Sequence, residues 1–194
     1  QYTSGSTGNP KGAMLSHTNL VDNLEQIKCY YHLTKESKAV IWLPPFHDMG
    51  LIGGILQPLF VGFPITLMSP FTFIKNPLLW LKEISTFQAT VSGGPNFAYD
   101  LCSSRIKESD LLDLDLGCWE IAFNGAEPIR KQTLDSFSEK FSKCGFKHKS
   151  FHPCYGLAES TLVVTFHQEK TPYIRHLDYN QLSQNKVTEV SPSS

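Results

Sequence analysis

From residue 3 to residue 12 the chain reads Thr-Ser-Gly-Ser-Thr-Gly-Asn-Pro-Lys-Gly, joining glycines and hydroxyls to a lysine. Glycine lets successive backbone N–H groups turn toward one point with no Cβ in the way, so such a loop can wrap an anion. The hydroxyls add donors, and Lys11 adds a mobile positive charge suited to phosphate. Composition alone favours a flexible surface loop. The nucleotide loop that ends Gly-Lys-Ser/Thr and opens a helix is excluded, because Pro10 precedes Lys11 and Gly12 follows it. Residues 13–15 read as a short apolar strand, and a helix starts only after Ser16. The loop is therefore expected to be a strand-to-strand turn.

Three more stretches carry residues able to do chemistry: 44–50 with His47 and Asp48, 124–128 (Asn-Gly-Ala-Glu-Pro), and 155–161 (Tyr-Gly-Leu-Ala-Glu-Ser-Thr). Each residue also has a plain structural reading. A lone histidine after a strand is more often packed than catalytic. Glu127 suits a helix first turn, where a carboxylate meets the positive end of the dipole. Tyr155 could be core, since half-buried tyrosines are common. An isolated Glu159 would be a solvated loop acid. His148, His152 and Cys154 have a spacing suggestive of zinc, but no fourth ligand lies nearby, and a structural role is expected.

The elements that must position these stretches follow from periodicity. Ser16 caps a helix with Leu20, Leu24, Ile27 and Tyr31 at helical spacing. Residues 39–43 form an apolar run of strand length, stopped by Pro44-Pro45. Between Asp48 and Lys75 no charge occurs, yet prolines and glycines interrupt the run and Gln57 sits at its centre. A buried helix near 51–60 and a buried strand at 65–68 are expected there, rather than a membrane span. Asn76-Pro77 opens a helix over 78–87, 89–91 is a strand stopped by Gly93-Gly94-Pro95, and a helix covers 97–106. A strand at 119–123 leads into Asn124, a helix runs from Pro128 to about residue 143 with Gly145 ending it, and a last strand enters Cys154. Strands alternating with helices, the strands apolar throughout, predict an α/β fold whose mostly parallel sheet is covered by helices. All four stretches follow predicted strands, and in such folds ligands gather at the carboxyl ends of strands.

With 194 residues and 41% hydrophobic content, the chain can bury a core of about one domain. Seventeen basic and eighteen acidic residues leave a net charge of −1 with no basic cluster, which argues against nucleic acid as a partner. Five cysteines without a Cys-x-x-Cys pair suit a reducing, cytoplasmic setting better than a disulfide framework. The chain opens on its phosphate-type loop and stops without a closing element. An excerpt of a longer polypeptide is expected, with 1–167 in one domain and 168–194 a polar, loop-rich segment leading onward.

TSGSTGNPKG resembles the phosphate-binding signature of the acyl-adenylate-forming enzymes. LPPFHDMGLIGG, SGGPNFAYDLC, FNGAEPIR and CYGLAEST together are most similar to the fatty acyl-AMP ligase branch. The resemblance implies a place in the large N-terminal domain of an adenylate-forming enzyme. It implies that Thr3, Ser4, Gly5, Ser6, Thr7, Gly8 and Lys11 hold the ATP phosphates. Asn124, Gly125, Ala126 and Glu127 would line one side of the adenine, the Glu127 side chain being better read as a helix acid. Tyr155 would stack on the base, with Gly156 leaving room for it, and Ser160 and Thr161 would lie near the α-phosphate. Glu159 would bind Mg²⁺, and His47 would border the reacting carboxylate. The glycines at 50, 53, 54, 93 and 94 suit either an acyl tunnel or plain helix packing. The implied reaction activates a fatty acid with ATP and Mg²⁺ to acyl-adenylate and pyrophosphate. The acyl group would pass to an acyl carrier protein or a polyketide or peptide synthase carrier domain. Alternatives are a long-chain acyl-CoA synthetase and a non-catalytic nucleotide- or acyl-adenylate-binding module. The family's ribose-binding aspartate and C-terminal lysine have no counterpart here, so the segment alone is expected to be inactive.

Overall fold

In the computed structural model, residues 1–3, 9–166 and 172–191 are described. Six strands form one sheet: β1 (Ala39–Ile41), β2 (Ile65–Leu67), β3 (Val91–Gly94), β4 (Ile121–Asn124), β5 (Phe151–Gly156) and β6 (Val163–Phe166). Their spatial order is β2-β1-β3-β4-β5-β6. The first five run parallel, and β6 closes one edge antiparallel to β5. The chain reverses its direction of travel across the sheet between β1 and β3, which opens a crevice at the carboxyl ends of those strands.

Among the described residues there are seven α-helices: α1 (His17–Tyr30), α2 (Gln57–Val61), α3 (Pro70–Lys75), α4 (Leu78–Phe87), α5 (Asn96–Arg105), α6 (Lys131–Phe141) and α7 (Tyr179–Leu182). Local chemistry explains their starts and stops. Ser16 and Asn19 form a reciprocal capping box at the head of α1, which buries Leu24 and Ile27. Leu134, Phe137 and Phe141 are the buried stripe of α6. A short 3₁₀ turn then leads to Gly145, whose φ of 85° suits glycine and ends the helical run.

Three expectations need correction. Residues 13–15 form no strand. Pairing with the first residues of the chain stops at Ala13, beside an isolated bridge between Tyr2 and Gly12, and Met14 is 98% exposed. The helix expected near 51–60 begins earlier, as a π-helix over Met49–Leu56 that passes into α2. Close packing explains the glycines there, since a Cβ on Gly50 would lie 2.1 Å from the Pro44 carbonyl oxygen and one on Gly54 2.7 Å from Ile41. β2 is an edge strand rather than a buried one. With β1 as its neighbour on one side only, Leu67 stays 60% exposed.

The two faces of the sheet are built differently. On one face Trp42, Trp80, Tyr99, Trp119, Phe137 and Phe151 pack ring against ring beneath α4, α5 and α6. Three of their polar atoms are satisfied within the layer: Trp80 Nε1 donates to Ser92 Oγ at 2.8 Å, Tyr99 OH to the Phe123 carbonyl at 2.8 Å and Trp119 Nε1 to the Ile121 carbonyl at 3.0 Å, while the buried Trp42 Nε1 has no partner among the described residues. That face is closed. On the other face α1 and the π-helix stand over the sheet and leave a cavity.

Candidate active site

The cavity has a volume of about 1020 Å³ and reaches from the surface to the sheet. Ile27, Leu33, Ala39, Ile41, Phe63 and Val91 form its apolar interior. Its mouth is polar and is assembled from four separate segments, three of them at the carboxyl ends of β1, β4 and β5. A volume of this size holds an elongated apolar ligand with a polar end at the mouth.

The first segment is the amino-terminal turn. Thr3 N–H donates to the Lys11 carbonyl at 2.9 Å, and the Lys11 N–H returns to Thr3 Oγ1 at 3.0 Å. Gln1 and Ala13 exchange both backbone hydrogen bonds, so the arms of the turn are paired as expected. Thr3, Asn9, Pro10 and Lys11 face the cavity. Ser4, Gly5, Ser6, Thr7 and Gly8 lie outside the described residues. Gln1 Nε2 donates to the Phe46 carbonyl at 3.1 Å, which ties this turn to the second segment.

In that segment His47 Nδ1 lies 2.7 Å from Asp48 Oδ1. Hydrogen bonding to Asp48 raises the histidine pKa, with burial opposing and the aspartate charge adding to the rise. Asp48 Oδ1 also accepts the Met49 N–H at 2.6 Å and so heads the π-helix. Asp48 Oδ1 and the Met49 N–H, the latter at 3.2 Å, both meet His47 Nδ1, which leaves Nε2 as the ring's second polar atom. Both side chains line the cavity.

The third segment follows β4. Ala126, with a φ of 68°, faces the cavity, and Phe123 lines its wall. Asn124 and Gly125 do not. Asn124 is fully buried, and Gly125 packs against Cys154, where a Cβ would meet the carbonyl oxygen and the sulfur at 2.9 Å each. Glu127 Oε1 accepts the Phe97 N–H at 2.6 Å, in the first turn of α5. Glu127 lies ahead of α6, which begins at Lys131, so it is not the first-turn acid that the sequence suggests; its carboxylate instead accepts at the amino end of the preceding helix.

The fourth segment runs from Cys154 to Val163. Tyr155, 61% exposed, Gly156 and Glu159 face the cavity. The space beside Gly156 is taken by the chain itself: a Cβ there would lie 1.9 Å from the Leu162 carbonyl oxygen, so this glycine serves the fold rather than an incoming base. Ser160 and Thr161 are turned away from the large cavity into a smaller polar one of about 240 Å³ against α1. Among the described residues the Glu159 carboxylate has no hydrogen-bond or ion-pair partner, and no group of three metal-ligating side chains exists. One free carboxylate at a cavity rim fits a cation that takes its remaining ligands from phosphate and water, as Mg²⁺ does.

The zinc-like trio is not assembled. His148 lies 3.6 Å from Asp135, His152 Nδ1 contacts the Ser150 carbonyl at 2.8 Å, and Cys154 Sγ donates to the Asn124 carbonyl. Burial holds the Cys154 thiol up at about 11, so it stays neutral. Gly93 and Gly94 pack on Phe123 and Trp42, whereas Gly53 faces the cavity. Sequence reasoning missed Phe46 and Tyr31 as lining residues, whereas Ala126 was expected beside the nucleotide. An aromatic beside His47 was a usable signal for Phe46, and nothing marked Tyr31 as more than a helix position.

Against known proteins, residues 1–183 match the sequence family described as AMP-binding enzyme. The chain is 44% identical over 188 residues to the medium-chain-fatty-acid–[acyl-carrier-protein] ligase TtuA of Teredinibacter turnerae, covering 96% of the chain and 29% of the relative. It is 39% identical over 178 residues to the probable long-chain-fatty-acid–AMP ligase FadD30 of Mycobacterium tuberculosis, covering 89% and 30%. A crystal structure of the fatty acyl-adenylate ligase from L. pneumophila, in complex with acyl adenylate and pyrophosphate, superposes with a TM-score of 0.94 at 49% identity. That match covers 100% of this chain and 34% of the other. The chain thus spans about a third of the length of such proteins. It belongs to the AMP-binding enzyme family, and fatty acyl-adenylate ligases are among the members it is similar to.

Proposed function

We propose that this chain forms the nucleotide- and acyl-binding part of a fatty acyl-AMP ligase. The observation that carries the reading is a single cavity whose apolar interior opens onto a mouth shared by Lys11, His47, Tyr155 and Glu159. An alkyl chain fills the interior, and its carboxylate sits at the mouth beside the phosphates of ATP. One carboxylate oxygen bonds to the α-phosphorus while the bond to the bridging oxygen of pyrophosphate breaks. Little proton transfer is needed, so catalysis rests on alignment and charge.

Lys11 and the amides of the turn that it closes offset charge on the departing pyrophosphate. His47, held by Asp48, presents Nε2–H to the carboxylate in its protonated form and keeps it in line. Tyr155 offers an exposed ring face to the adenine, with the backbone around Ala126 on its other side. Glu159 is the protein ligand to Mg²⁺, which when bound neutralises phosphate charge. The names of the ligase relatives support a carrier-protein thiol as the acyl acceptor.

The test gives the full-length protein ATP, Mg²⁺ and medium- or long-chain fatty acids, with either coenzyme A or phosphopantetheinylated carrier protein. Acid-dependent pyrophosphate release and acyl transfer to the carrier are expected. Acyl-CoA formed as fast as acyl-adenylate would replace the reading with an acyl-CoA synthetase. Absence of pyrophosphate release would leave a binding module.

A further inference from the structure

Glu159 sits in an unusual piece of backbone. A 3₁₀ turn at Ala158–Ser160 is followed by Thr161 at φ 74° and ψ −66°, and the Leu162 N–H donates to the Ser160 carbonyl at 3.0 Å. This is a γ-turn of the strained, positive-φ kind, centred on a β-branched residue. Such a conformation persists only where its surroundings over-determine it. The Leu157 N–H bond to the Leu162 carbonyl, at 3.0 Å, closes the turn on its inner side. What holds the outer side is a residue far away in sequence.

Asn23, on α1 and 7% exposed, donates from Nδ2 to the Val163 carbonyl at 2.9 Å and accepts the Val163 N–H on Oδ1 at 3.1 Å. One carboxamide thus engages both backbone groups of a single residue, as a neighbouring strand would. β6 is an edge strand paired only to β5, and its ladder is irregular where Val163 meets Gly156. Asn23 supplies the missing partner at the residue where the chain leaves the turn. The small polar cavity between α1 and the turn is lined by Asn23 together with Glu159, Ser160 and Thr161.

We propose that Asn23 is a positioning residue for Glu159: its clamp on the Val163 backbone fixes the strained turn that presents the carboxylate to phosphate-bound Mg²⁺. The proposal rests on the reading of Glu159 as the metal ligand. Without the clamp the turn can relax at Thr161, and the carboxylate loses its fixed placement at the cavity mouth.

The experiment uses the full-length protein. Mn²⁺ binding in the presence of a non-hydrolysable ATP analogue is followed by electron paramagnetic resonance, and hydrogen exchange is followed across residues 157–163. Asn23→Ala should weaken Mn²⁺ binding about tenfold, the size expected for two lost hydrogen bonds of ordinary net strength. It should also speed exchange of the Val163 and Leu162 amides. Asn23→Asp keeps the acceptor and loses the donor, so it should fall between. Phe141→Leu, on the closed face of the sheet, controls for general destabilisation and should lower the melting temperature without changing Mn²⁺ affinity. If Asn23→Ala only lowers the melting temperature as Phe141→Leu does, the residue is a brace and the proposal is overturned. Glu159→Gln is measured alongside. If it leaves Mn²⁺ binding unchanged, the metal reading falls and this proposal with it. If it weakens binding while Asn23→Ala does not, only the proposal falls.

Discussion

The chemistry proposed for the cavity depends on a few side chains whose surroundings can be tested one at a time. Glu159→Gln keeps the shape and removes the charge. Losing one charge interaction made in the transition state costs about 100-fold in rate, so pyrophosphate release should drop by that order while the melting temperature holds. Near-normal release would remove Glu159 from the metal site. His47 and Asp48 make a prediction in pH. The histidine pKa is raised chiefly by its hydrogen bond to Asp48. A raised folded value means that the pair stabilises the protein fully below the ordinary histidine pKa of about 6.5 and loses that contribution as pH rises through the raised one. Asp48→Asn should lower the His47 titration midpoint seen by NMR. Its deficit in thermal stability should be largest in mild acid and shrink toward alkaline pH. An unmoved midpoint would mean that the 2.7 Å pair does not form in solution. At this scale the sequence made His47, Lys11, Tyr155 and Glu159 legible, because each sat in a motif with its own spacing. Asn23 was not legible. A polar residue on an amphipathic helix looks solvated until the partner 140 positions away is placed beside it.

Among the elements, the π-helix over Met49–Leu56 departs furthest from sequence expectation. Apolar periodicity marks a buried helix there but cannot distinguish hydrogen bonds to the fourth residue from bonds to the fifth. The glycines mark where the wide turn meets other backbone, and the contacts become visible only in three dimensions. Gly50 faces the Pro44 carbonyl so closely that any Cβ must displace the segment carrying His47. Gly50→Ala should therefore destabilise the protein by about 1–3 kcal/mol, the usual range for overpacking a filled site. Gly12→Ala, where a Cβ would meet Tyr2 at an ordinary 3.6 Å, should change stability by no more than about 0.5 kcal/mol. Equal effects in thermal unfolding would show that the tight contact is not maintained. The other elements were easier to read. α4 has the predicted bounds because Asn76-Pro77 starts it, and β1 and β4 were marked by short apolar runs that end in proline or asparagine, whereas β3 shares only Val91 with its expected run and takes in the glycines expected to stop it. The edge position of β2 was hidden, since apolar content reports burial tendency and not the number of neighbouring strands.

The whole molecule is asymmetric across its sheet. The α4–α6 face is a closed aromatic layer, while the α1 face holds the cavity with its apolar wall. Alternation of strands and helices made the parallel sheet legible, but which face would close and which would open depended on side-chain volumes meeting across the sheet. On the proposed reading the faces have separate tasks: the aromatic layer stabilises the fold, and the open face would gain its burial from a ligand. An alkyl chain entering past Ile41 and Val91 should bind with a free energy that grows by about 0.8 kcal/mol per buried methylene, or roughly fourfold in affinity. A series of acyl-adenylate analogues, lengthened two carbons at a time and measured against the full-length protein by calorimetry, should show about a tenfold gain or more at each step until the interior is filled. Beyond that length the gain should stop or reverse, because further carbons must either return to water or overpack the wall. Replacing Val91 with Phe should bring the break to a shorter chain without changing the affinity of the shortest analogue. If affinity is flat with chain length from the start, the apolar interior is not the acyl site, and the nucleotide end of the ligand alone is being held.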